Sequence, residues 1–157
     1  MSASLITAIS LTLGISAFCS LLEAFILSTT VAETEALIKK RRTTGRRLQH
    51  FKETIQESST AILTLNTIAN TAGATVVGML TSRQDPELAR LVPAFMVFSI
   101  LVFSEIVPKN LGVIYRRQLQ IPAVYSLMVI RIILKPLSWV VNLMLNRLVQ
   151  SEQPTEE

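Results

Sequence analysis

The residues best suited to chemistry stand at 104–109. There Ser104-Glu105-Ile106-Val107-Pro108-Lys109 closes the apolar run of residues 91–103. A charged side chain such as a carboxylate costs roughly 2.5 to 3.5 kcal/mol in hydrocarbon on insertion scales, so Glu105 needs a polar partner or water. Pro108 has no N–H to give the carbonyl of Ser104, which frees an oxygen one turn back. Inside a bilayer such a carbonyl is tolerated only when it is buried in protein or faces a polar cavity. A free carbonyl beside a carboxylate offers hard oxygen ligands, the kind that hold a dication.

Two more sets of polar residues belong to the same chemistry. Thr12, Ser16, Ser20 and Glu23 follow spacings of four, four and three, which places them along one helical stripe. The hydroxyls of Thr12 and Ser16 are expected to bond back to their own helix. Glu23 either reaches the interface or joins the site. Asn66 and Asn70 stand one turn apart with Ala69 and Gly73 beside them, and Thr64, Thr67, Thr71 and Thr75 lie opposite. Small residues let another backbone approach and asparagines hydrogen-bond across helices. The pair therefore either glues two helices together or lines a cation site with Glu105.

The elements that must position these residues are membrane helices. Half of the 157 residues are hydrophobic, 17% are charged and the mean hydropathy is +0.46, too apolar for a soluble domain of this size. The apolar residues come in blocks long enough to span a bilayer, about 20 residues each. Spans are expected over 5–30, 60–80 and 91–107. The first lacks the basic n-region and small-residue cleavage site of a secretory signal. The third, at about 25 Å, falls slightly short of a bilayer, so its inner end should sit in a protein-lined depression.

The basic cluster Lys39-Lys40-Arg41-Arg42 with Arg46-Arg47 is predicted cytoplasmic, which puts the N-terminus outside and the C-terminus in the cytoplasm of a cell-membrane protein. Residues 31–50 read as a solvated extension of the first helix with Gly45 as the clear break. Residues 51–59 read as a surface segment and 81–90 as an outer loop. Residues 121–149 are apolar but carry Arg131, Lys135 and Pro136 in their middle, with Trp139 and Asn142 nearby. That pattern favours an interfacial belt broken at Pro136 over a fourth crossing. The predicted fold is an all-α integral membrane protein, with three transmembrane helices per subunit plus cytoplasmic juxtamembrane helices forming a belt. It occupies 1–150, and 151–157 begins a linker in which Thr155-Glu156-Glu157 starts a capped helix.

Several classes are excluded. Cys19 and His50 each stand alone, so neither a disulfide framework nor a thiol–imidazole metal cluster is expected. Basic residues beside a membrane segment fix topology rather than bind nucleic acid. No nucleophile–base pair, carboxylate dyad or Gly-rich phosphate loop supports an enzyme.

Phe18-Cys19-Ser20-Leu21-Leu22-Glu23-Ala24, Asn66-Thr67-Ile68-Ala69-Asn70 and Ser104-Glu105-Ile106-Val107-Pro108-Lys109 occur in that order. Together they resemble the transmembrane domain of the CNNM/CorC family of magnesium transporters, over nearly the whole chain. The last motif is fairly specific; the first two would be weak alone. The resemblance implies a homodimer in the lipid bilayer. Each subunit would hold one Mg2+ near its middle in an inward-open cavity, and Mg2+ export would be coupled to Na+ entry. Cytoplasmic CBS domains that bind ATP would follow. By matching position the metal ligands would be Ser20, Asn66, Asn70 and Glu105, with Glu23 and Ser104 as further candidates and Pro108 and Lys109 structural at the site.

The chain departs from the family pattern at Leu21, where a small residue is usual, and at Leu22, which replaces a serine. Leu65 and Ser104 stand where glycine is common. Bulky leucines there would narrow the cavity. An alternative from another class is a non-transporting membrane scaffold or regulatory subunit, in which Glu105 pairs with Lys109 one turn on.

Overall fold

The computed structural model of the chain describes residues 3–82 and 86–150, the side chains of 86–90 and 137–150 excepted. All of its regular elements are helical. α1 spans Ala3–Ser28, α2 Val31–Lys40, α3 Arg42–Glu53 and α4 Ile55–Ser82. α5 covers Pro86–Ser99, a π-helical segment Ile100–Ile106 follows, and α6 (Val107–Ile114) and α7 (Arg116–Gln150) complete the chain.

α2 is a new helix rather than an extension of α1. Thr30 Oγ1 accepts from the Glu33 N–H at 3.2 Å while Glu33 Oε2 accepts from the Thr30 N–H at 3.0 Å. This reciprocal cap satisfies two donors that a starting helix leaves open. The break between α2 and α3 falls at Arg41, with φ −142° and ψ 84°, and not at Gly45. Gly45 serves another purpose: a Cβ there would lie 2.5 Å from the backbone N and Cα of Ile38. Its missing side chain lets α3 fold back onto α2. Lys52 then donates from Nζ to the Ile26 carbonyl at 3.1 Å, satisfying an open acceptor at the end of α1.

The third apolar segment does not stop at residue 107. α5, the π segment and α6 form one apolar helical run, Leu91–Ile114, of 24 residues. Instead of breaking at Pro108, the chain widens its turns just before it. The Val107 N–H bonds the carbonyl of Val102, five residues back, and Pro108 falls in the first turn of α6. There the fixed φ of proline suits the first helical positions.

Among the described residues, four helices are long and apolar enough to cross a membrane: Ala3–Ser28, Ile55–Ser82, Leu91–Ile114 and Arg116–Pro136. α7 also runs unbroken through Pro122 and through Pro136, the second of which was expected to break it. Its apolar residues Ala123, Val124, Leu127, Ile130 and Leu134 pack with Phe25 and Ile26 of α1, Leu37 of α2, Leu48 and Phe51 of α3, and Ile62 of α4. A smaller cluster of Leu5, Val77 and Met96 closes the opposite end.

Two polar anchors fix α7. At its start, Arg116 Nε and Arg117 Nε meet Glu33 Oε1 at 3.1 and 3.0 Å. Four turns on, Arg131 donates to Thr54 Oγ1 at 2.9 Å and to Glu57 Oε2 at 2.6 Å. Glu33 follows the end of α1 and Thr54 and Glu57 stand at the beginning of α4, so both anchors belong to the same end of the bundle. Burial alone would push the Glu33 carboxyl up. The Thr30 N–H and the two guanidiniums outweigh it and hold the group at about 2.

Candidate functional site

The site is built on the seam between antiparallel α1 and α4. Gly73 lets the helices close there, since a Cβ on it would fall on the Thr12 side chain. Thr12 bonds back to the Ala8 carbonyl at 2.8 Å, as expected. Ser16 does not. It donates from Oγ to Asn66 Oδ1 at 2.7 Å, across the seam. Asn70 Nδ2 reaches the same Oδ1 at 3.4 Å, so one carbonyl oxygen gathers two donors. On the far side of α4, Thr67 and Thr75 bond back to Leu63 and Thr71.

Two oxygens on this seam are buried without a hydrogen-bond partner among the described residues, Ser20 Oγ and Asn70 Oδ1. An orphaned buried oxygen costs about 1–3 kcal/mol unless a water or an ion meets it, and Ser59 Oγ and Ser99 Oγ are buried in the same way elsewhere in the bundle. The third wall is the π segment. Ser104 is buried and donates from Oγ to the Leu13 carbonyl of α1 at 3.0 Å. Further along, Pro108 and Gly112 are buried, and a Cβ on Gly112 would lie 2.5 Å from the Leu21 carbonyl oxygen. α1 and the π–α6 segment therefore run side by side in the same direction.

Glu105 follows Ser104 on this wall, half-buried and with no ion pair or hydrogen bond among the described residues. Lys109 does not pair with it. Its Nζ lies 3.0 Å from Glu23 Oε2, which ties α6 to α1 and occupies the Glu23 carboxylate. The structure thus joins Asn66 to Asn70, Ser104 to α1 and Lys109 to Glu23. No hydrogen bond links Ser20 or Glu105 to the asparagines. Ser16, the group that fixes Asn66, was legible only as a member of the serine stripe, since a hydroxyl's choice between its own helix and a neighbour is not written in spacing. Of the family departures, Leu22 is core and Leu65 packs against it, while Ser104 supplies the bond to Leu13.

A family model described as "Cyclin M transmembrane N-terminal domain" (CNNM) matches residues 6–157. The chain belongs to the CNNM family. It is also similar to the UPF0053 protein sll1254 of Synechocystis sp., with 26% identity over 144 residues that cover 90% of this chain and 41% of the relative. The chain therefore spans about two fifths of the length of that relative. As a CNNM membrane domain it is a multi-pass helical membrane protein, consistent with divalent-cation transport. The donor types on its three walls are carboxylate, amide and hydroxyl oxygens, and no group of three His, Cys, Asp or Glu side chains converges among the described residues.

Proposed function

We propose that the chain carries Mg2+ across the membrane, with the ion as cargo held between α1, α4 and the π segment. The observation that carries this reading is the pair of buried, unpartnered oxygens, Ser20 Oγ and Asn70 Oδ1, in the same bundle as the unpaired carboxylate of Glu105. Hydroxyl, amide and carboxylate oxygens suit a hard dication and disfavour zinc or copper. A site with one carboxylate binds weakly enough to release its ion, as conduction requires. Residue types alone do not separate Mg2+ from Ca2+ or Mn2+; membership in the CNNM family favours Mg2+.

In this reading Ser20, Asn66, Asn70 and Glu105 contact the ion or its water shell. Ser104 and Pro108 shape the wall, and Lys109 engages Glu23 so that the second carboxylate stays out of the site. Export is driven by Na+ entry, the working unit is a homodimer, and ATP-binding CBS domains act on it from the cytoplasm. The N-terminus lies outside, and α7 forms a cytoplasmic belt beneath three crossings. Support for the belt comes from the two anchors of α7, since Arg116 and Arg131 are both held at one end of α1 and α4. The scaffold alternative placed Glu105 against Lys109, and Lys109 is engaged by Glu23 instead.

The test is Mg2+ flux into or out of liposomes, comparing the chain with Glu105→Ala. Transport predicts lost flux with an unchanged fold. Equal flux in the two proteins would end the proposal.

A further inference from the structure

The basic end of the bundle carries a groove that transport does not use. A cavity of about 770 Å3 opens between α3 and α7, with Arg42, Arg46, Arg47 and His50 on one wall and Phe51 and Met128 at its floor. Residues 42, 46 and 50 recur every four positions, so they form one row along α3. Several other cations of this end already have partners: Arg116 and Arg117 hold Glu33, Arg131 holds Glu57, and Lys52 caps α1, while Lys39, Lys40 and Arg41 lie outside the cavity. Arg42 and Arg46 have no anionic partner among the described residues. Guanidiniums gathered on one cavity repel each other, and an anion between them relieves the repulsion through charge-assisted hydrogen bonds.

The groove is braced rather than loose. Arg47 lies over the Tyr125 ring at 5.9 Å and Arg131 over the Phe51 ring at 5.3 Å, so each wall grips the other. Beside it α7 exposes an apolar stripe of Tyr125, Val129, Ile132 and Ile133. Ile132 is one turn beyond Met128, so the apolar surface continues out of the groove. Topology alone accounts for positive charge near a membrane. It does not account for a cavity with an aromatic floor that opens onto an apolar track.

We propose that this groove binds one anionic phospholipid, its phosphate on Arg42 and Arg46 and its acyl chains along Val129 and Ile132. The lipid joins the basic end of the bundle to the leaflet around it. Transport chemistry plays no part in this assignment.

The experiment titrates phosphatidylglycerol into the full chain in neutral detergent, where no charged leaflet contributes, and counts bound lipid by native mass spectrometry. One lipid per chain is expected, preferred over phosphatidylcholine. The pair Arg42→Gln with Arg46→Gln should weaken it about a hundredfold, the loss of two charge-assisted hydrogen bonds. Thr43→Glu, on the rim of the groove, should also displace it. The control pair Lys39→Gln with Lys40→Gln removes the same charge outside the groove and should leave binding within about threefold. Equal weakening by both pairs would reduce the effect to diffuse charge and overturn the assignment. So would equal binding of phosphatidylcholine. Competition by glycerol 3-phosphate at matching concentration would reassign the groove to a soluble phosphate ester.

Discussion

At Asn66 a single carbonyl oxygen accepts from Ser16 and Asn70, so the seam depends on it. Asn66→Leu leaves the Ser16 hydroxyl without its acceptor and should lower stability by about 1–3 kcal/mol, measured as a reduced thermal midpoint in detergent. Ser20 behaves differently because its oxygen has no partner to lose. Ser20→Ala should leave the midpoint without Mg2+ unchanged or slightly raised. It should also shrink the rise that millimolar Mg2+ produces in the parent by mass action. An equal Mg2+-dependent rise in parent and variant would remove Ser20 from the site. The sequence showed these side chains as stripes and spacings, which locate a face of a helix. Which acceptor each hydroxyl chooses depends on the neighbouring helix, and there the spacing was silent for Ser16.

Helix contacts here rest on glycines that face carbonyls and side chains of α1. Gly112→Ala places a methyl group against the Leu21 carbonyl oxygen, and neither backbone can move aside cheaply. The change should cost about 1–3 kcal/mol, the usual range for overpacking, read as a lower thermal midpoint. Gly78→Ala, where the added Cβ meets nothing within 4 Å, is the matched control and should be neutral or mildly stabilising. At this scale the apolar blocks announced α1, α4 and the third helical run with little ambiguity. Breaks were harder to place. Gly45 looked like a hinge because glycine often is one, yet here it is a contact point inside α3. Pro108 looked like a helix end, yet the turns before it widened and the helix went on. A proline states which hydrogen bond is missing, not how the backbone accommodates the loss.

Across the whole molecule, Glu33 binds the start of α7 to α2. Its carboxyl is held at about 2, below the ordinary value of 4.5. A depressed folded-state value stabilises above the unfolded one, and the gain is lost as pH falls through the folded value. Stability should therefore decline between about pH 4.5 and pH 2 by roughly 2–3 kcal/mol, allowing for solvent screening at the exposed Arg117. Glu33→Gln should start from the lower stability and show a flatter profile in denaturant titrations across that window. Composition made the membrane class plain at this scale. The course of α7 was less legible, because its apolar content suits a crossing and its arginines suit an interface. Only their partners, Glu33 and Glu57, show that Arg116, Arg117 and Arg131 return to one end.

The π segment has a further consequence for how this chain counts. Widened turns absorb roughly one residue more than an α-helix of the same rise. Every side chain after Ile106 is therefore out of phase with the wheel that residues 86–99 begin. Deleting one residue between 100 and 106 would let the coil tighten to an α-helix that reaches α6 with about the same rise and facing. Gly112 would still meet Leu21 and Lys109 would still meet Glu23, and the loss would fall on the segment itself, where Ser104 reaches the Leu13 carbonyl. The extra residue of this seven-residue stretch thus sets the course of the segment that carries Ser104 and Glu105, rather than the place of the helix that follows it.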